Sequence, residues 1–168
     1  MEAFLLSVHV LAGILFVGPA AVAVSLFPRF APLAESAAGA AGTGGTGGTG
    51  GTGGATRPAG ERNVGVARLL HRITRGYGIA ALVVPVVGIA LALVQGRMGE
   101  VWITVAMVLT AVAGGILALQ IAPRQRDALA TPGDGRRLRR LGMLAGIFNL
   151  LWAVVVILMI VRPGSDYS

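Results

Sequence analysis

The sequence predicts an all-α polytopic membrane protein: a four-transmembrane-helix bundle with both termini outside. Three observations lead there. Of 168 residues, 55% are hydrophobic and only 12% charged, where a soluble domain carries about 25% charged residues. The mean hydropathy is +0.78. Four stretches, residues 3–27, 73–94, 101–122 and 141–161, reach the roughly 20 apolar residues that a helix needs to cross a bilayer. The length suits a single membrane domain over residues 1–168.

Span one contains SVHVLAGILFVGP. A cleaved signal peptide would start with positive charge and carry a short apolar core. This chain starts with Glu2 and has no arginine before Arg29, so a retained helix is expected. On a helical wheel, Ala12, Gly13, Phe16, Ala20 and Ala23 gather around His9. Leu11, Ile14, Leu15 and Val22 lie opposite. The small face suits protein and the bulky face lipid, which turns His9 inward.

Residues 31–63 form a Gly/Ala/Thr-rich loop that contains TGGTGGTGGTGG at 43–54. Such repeats behave as flexible coil. A phosphate-binding loop would need GxxxxGK[ST] between a strand and a helix; the chain has no lysine. The loop ends in RNVGVARLLHRITRG, an amphipathic lead-in to span two. Arg68, His71, Arg72 and Arg75 fall on one side of it, and Val66, Leu69, Leu70 and Ile73 on the other. GDGRRLRRL has the same role before span four.

Small residues let membrane helices approach closely. Span two offers Gly78, Ala81, Pro85, Gly88 and Ala92; span three offers Ala111, Gly115, Ala118 and Ala122. Span four offers Gly142, Ala145, Asn149 and Ala153, with Gly146 beside them. Asn149 is the candidate structural polar residue, able to bond across helices. Pro19 and Pro85 should kink their helices, because each lacks a backbone donor.

All fourteen basic residues are arginine. Together with the richness in alanine and glycine, this suggests a GC-rich, bacterial coding genome. Twelve arginines flank the two long loops: Arg29, Arg57, Arg62, Arg68, Arg72 and Arg75, then Arg124, Arg126, Arg136, Arg137, Arg139 and Arg140. Only Arg97 and Arg162 lie on the other side. By the positive-inside rule the loops are cytoplasmic and both termini outside, in a multi-pass bacterial plasma membrane protein. Trp102 and Tyr167 should mark the outer interface, and Phe27, Phe30 and Tyr77 the inner one. The net charge of +7 is placed for the bilayer and its anionic headgroups rather than nucleic acid.

The chemistry is sparse. There is no cysteine, Ser-His-Asp set, HExxH or paired carboxylate, so no residue is assigned a catalytic role. A histidine among apolar residues raises a functional question of itself. Within one chain His71 cannot share an iron with His9. Eighteen residues separate His9 from the end of span one at Phe27, about 27 Å of helix, and His71 precedes span two on that far side. Met107 lies six residues into span three, about 9 Å deep and level with His9; Met159 is nearer the outer surface. A histidine with thioether ligands suits copper(I), or haem with His/Met axial ligation. His9, Met107 and Met159 are therefore the candidate cofactor-binding residues. Ordinary packing by the methionines is the alternative.

SVHVLAGILFVGP in span one, LHRITRGYG entering span two and MIVRPG closing span four carry a resemblance. They are similar to a bacterial family of predicted integral membrane proteins of unknown function. That family in turn resembles the copper-resistance D membrane domain and the haem-containing protoporphyrinogen-oxidase-like four-helix membrane proteins. The resemblance implies a cofactor role for His9, which matches the histidine of their first span, and none for His71. It does not extend to the intramembrane lysine of the oxidase-like group. Three functional readings stand open: a small non-enzymatic bundle or assembly partner, a haem- or copper-binding membrane protein using His9, and a subunit of an oligomeric transporter. A homo-oligomer is compatible with each.

Overall fold

The computed structural model describes residues 1–33, 63–132 and 135–164. The TGG repeat and Tyr167 lie outside these residues. The described chain is all-helical, with four helices long and apolar enough to cross a membrane. They are α1 (Glu2–Phe30), α2 (Val64–Val94), α3 (Val101–Ala130) and α4 (Gly135–Val161).

The helices run further than the apolar stretches. The extra turns carry the arginines, which stay exposed while the helix continues beneath them. Asn63 caps α2, its side chain accepting from Val66 N at 3.2 Å, which satisfies one of the donors that a helix start leaves unpaired. In α4, Leu138 and Leu141 turn inward while Arg136, Arg139 and Arg140 face out. Gly96, at φ 67°, makes the turn that joins α2 to α3.

Prolines shape three of the helices. Each removes one backbone donor and crowds the carbonyl four residues back. In α1 a π-helical turn, Gly13–Val17, directly precedes Pro19. In α3 a second one, Ile116–Ile121, precedes Pro123. In α2 the chain tightens ahead of Pro85: Leu82 N bonds Ile79 O at 3.1 Å and Val84 N bonds Ala81 O at 3.0 Å.

The largest apolar core lies in the arginine-rich half of the bundle, where all four helices meet. Ala23, Val24 and Phe27 of α1, Ala67 and Leu70 of α2, Leu117 and Ile121 of α3, and Leu141, Ala145 and Phe148 of α4 form it. In the other half the main packing is pairwise, α1 on α2 and α3 on α4.

Burial revises several expectations. On α1 the wheel holds: His9, Ala12, Ala20 and Ala23 are buried, and Leu11, Ile14, Leu15 and Val22 are exposed. On α3 and α4 the small-residue stripes match the inner faces only in part: Ala145 is buried. Ala111, Ala118, Gly142, Gly146 and Ala153 are exposed. The buried face of α3 is instead Ala113, Leu117, Ile121, Gln125 and Ala128, and that of α4 Leu138, Leu141, Ala145, Phe148 and Val155. The reason is complementarity, since close approach needs a small residue on one partner only. A Cβ added to Gly78 of α2 would lie 2.9 Å from Leu117 Cδ2 of α3. Phe27 is fully buried in the core rather than placed in an interfacial belt.

Candidate functional site

His9 sits on the buried face of α1, against α2. Its Nδ1 is 3.1 Å from Val84 O. A carbonyl oxygen only accepts, so the Nδ1 proton occupies this bond, and Nε2 of the neutral ring keeps its lone pair. The ring has room because residue 88 is glycine: a Cβ there would meet His9 Cε1 at 2.9 Å and Nδ1 at 3.3 Å. Nδ1 held by a backbone carbonyl is the arrangement that orients a metal-binding histidine through Nε2. It also orients a histidine that does no more than clamp two helices.

Met107 and Met159 are half-buried, on α3 and α4. Those helices pack on each other, whereas the N-terminal turns of α1 pack on α2. His9 and the methionines therefore stand on helices of different main pairs. Among the described residues no group of three or more His, Cys, Asp or Glu could hold a metal ion.

His71 is placed at the other end of α2. Val84 and Gly88 are thirteen and seventeen residues further along, at least about 20 Å of helix. His71 does not join the solvent-facing arginines. Its Nδ1 donates to Gln125 Oε1 at 3.1 Å, and Gln125 Nε2 donates to Thr74 Oγ at 3.4 Å. Gln125 and Thr74 are almost fully buried, so this network ties α2 to α3 inside the protein.

Asn149 forms a third polar link. Its Nδ2 donates to Ser25 Oγ at 2.8 Å, and Ser25 Oγ donates to Ala21 O at 2.8 Å. Asn149 Oδ1 and Trp152 Nε1 are buried without a partner. At the far end, Arg97 pairs with Glu100 at 3.3 Å. Glu100 also accepts from Trp102 Nε1, and the Arg162 guanidinium lies 6.0 Å from the Trp102 ring centre.

Reading the sequence alone missed Gln125, Thr74, Ser25 and Gly88 as functional partners. Gln125 had one detectable signal. It continues the four-residue spacing of Ala113, Leu117 and Ile121, so it falls on the buried face.

Comparison of the chain with protein-family models, curated proteins and solved structures finds no match.

Proposed function

We propose that this chain is a small non-enzymatic integral membrane protein of the bacterial plasma membrane, a preassembled four-helix bundle that serves as an assembly partner. One observation carries the reading: three polar side chains within the helices each make a link between helices. His9 links α1 to α2, Gln125 links α3 to α2, and Asn149 links α4 to α1. Interhelical bonds of this kind stabilise membrane bundles by about 0.6–2 kcal/mol each. The arginine distribution supports a cytoplasmic location for the long loops.

A second reading has its own support in the Val84–His9 bond. With Nδ1 held by the carbonyl, Nε2 is set up to give one ligand to haem iron or copper. That group would supply redox chemistry, and this chain's part would be to fix the ring. The remaining ligand in this reading is Met107 or Met159, or comes from a second chain.

The optical spectrum and metal content of the protein extracted from membranes decide between the two. A colourless, metal-free protein with its helical spectrum intact is the expected result. A Soret band or stoichiometric copper, lost in His9→Ala, would replace the first reading by the second. Orientation has a separate test, which the absence of native cysteine makes simple. Glu2→Cys should react with an impermeant maleimide in intact cells, and Asp127→Cys only after permeabilisation. The reverse pattern overturns the orientation.

A further inference from the structure

Between α2 and α3 runs a groove of about 420 Å³. At the arginine-rich end it is lined by His71, Arg75 and Arg126; farther in by Leu82, Gly114 and Ala118. Among the described residues no acidic side chain lines it. Arg75 and Arg126 are exposed at its mouth, and neither has an acidic partner among the described residues. His71 is held at the mouth by the buried Gln125 through Nδ1, and its Nε2 is not used in that bond.

The inner part is apolar for a local reason. The π-helical turn Ile116–Ile121 carries Leu117 and Ala118 into the groove wall, and such turns often accompany functional sites. Leu117 fills the space over Gly78, whereas a Cβ built on Gly114 meets nothing within 4 Å. From His71 to Leu82 is eleven residues, about 16 Å of helix. That is half of a hydrocarbon core of about 30 Å. The groove thus reaches from headgroup level to the bilayer midplane, cationic at the first and apolar toward the second.

We propose that this groove binds one anionic phospholipid from the leaflet on the arginine-rich side. The phosphate meets Arg75, Arg126 and His71, and one acyl chain lies along Leu82, Gly114 and Ala118. Basic pockets between membrane helices select such headgroups, and complementary charge together with one-leaflet length picks out this occupant. The inference rests on the reading of the four helices as bilayer-crossing and is independent of whether His9 binds a cofactor.

Delipidated protein in dodecyl maltoside, offered phosphatidylglycerol, phosphatidylcholine or inorganic phosphate and read by native mass spectrometry, tests it. One phosphatidylglycerol should be retained, with phosphatidylcholine and inorganic phosphate both lost. Arg75→Ala/Arg126→Ala should weaken retention about 30-fold, the loss of two interfacial cations. Arg136→Ala/Arg140→Ala, which removes the same charge away from the groove, should retain the lipid. Gly114→Leu, which fills the acyl channel, should abolish retention with the circular dichroism unchanged. Equal retention of both lipids, displacement of the lipid by inorganic phosphate, or equal loss in the two arginine pairs overturns the proposal. Carbonate washing separates the two levels of failure. A chain released from membranes by carbonate overturns the bundle reading itself; a chain that stays but binds no phosphatidylglycerol overturns the groove alone.

Discussion

Gly88→Ala isolates the contact that holds His9. The added methyl would sit 2.9 Å from His9 Cε1 and 3.3 Å from Nδ1, so the buried ring must move away from α2. Moving it breaks the 3.1 Å bond to Val84 O, worth about 0.6–2 kcal/mol between membrane helices. Overpacking of a filled site adds about 1–3 kcal/mol. The two terms together cost the single variant about 2–5 kcal/mol, less the gain of up to about 1 kcal/mol from the better helix propensity of alanine. His9→Ala removes the ring that is struck. In that background the same Gly88→Ala change meets open space and gains up to about 1 kcal/mol from the better helix propensity of alanine. The two substitutions should therefore be strongly non-additive, with a coupling of several times the ~0.5 kcal/mol that separates independent sites from interacting ones. Reversible unfolding in mixed dodecyl maltoside and dodecyl sulfate micelles, followed by circular dichroism and the fluorescence of Trp102 and Trp152, measures all four corners of the cycle. Costs that simply add would refute the placement of His9 against Gly88.

The other polar links give further expectations by the same assay. Gln125→Ala leaves His71 and Thr74 without their partner and should cost about 1–3 kcal/mol; Thr74→Val, at the end of a 3.4 Å bond, should cost less, and the reverse order would place the weight of the network elsewhere. Asn149→Leu removes the bond to Ser25 but also the unpartnered Oδ1, so it should be close to neutral. Ser25→Ala leaves Asn149 Nδ2 unpaired as well and should be the more damaging of the two; a more damaging Asn149→Leu would show that Oδ1 has a partner in the membrane. Glu100→Gln, which weakens a partly exposed ion pair with Arg97, should cost at most about 1 kcal/mol. The emission of Trp102, whose indole donates to that carboxylate, should shift in the same variant, and unchanged emission would argue against the contact.

The four helices were legible because apolar length is a property of composition, and composition survives without knowledge of neighbours. The inward face of α1 was legible too, since small and bulky residues separate cleanly around His9. The faces of α3 and α4 were not. Small residues on those helices suggest close approach, but most of the expected positions face out, and the core takes Ala113 and Ala128 of α3 and Ala145 of α4, with Ala23 of α1 and Ala67 of α2 among the bulky Leu117, Leu141 and Phe148. Which of two helices supplies the small side chain depends on their pairing, and one helix cannot report it. The ends were obscured for another reason. APRQRDALA reads as polar loop, yet α3 continues through Pro123, with a π-helical turn just ahead of the proline, and the turns that follow bury Gln125 and Ala128. The π-helical turn before it is a response to Pro123 that hydropathy does not register.

The uneven core has a consequence for how this chain tolerates change. Free energy of local opening follows contact density, and the largest cluster is confined to the arginine-rich half. That half should exchange its amide hydrogens last and should reject most substitutions. The opposite half, tied mainly as two helix pairs, has room for sequence drift so long as hydropathy is kept. His9 and Gly88 stand in that permissive half, a fixed point in an otherwise replaceable surface. A deep mutational scan would find them as an isolated pair of intolerant positions surrounded by freely exchanged aliphatic residues.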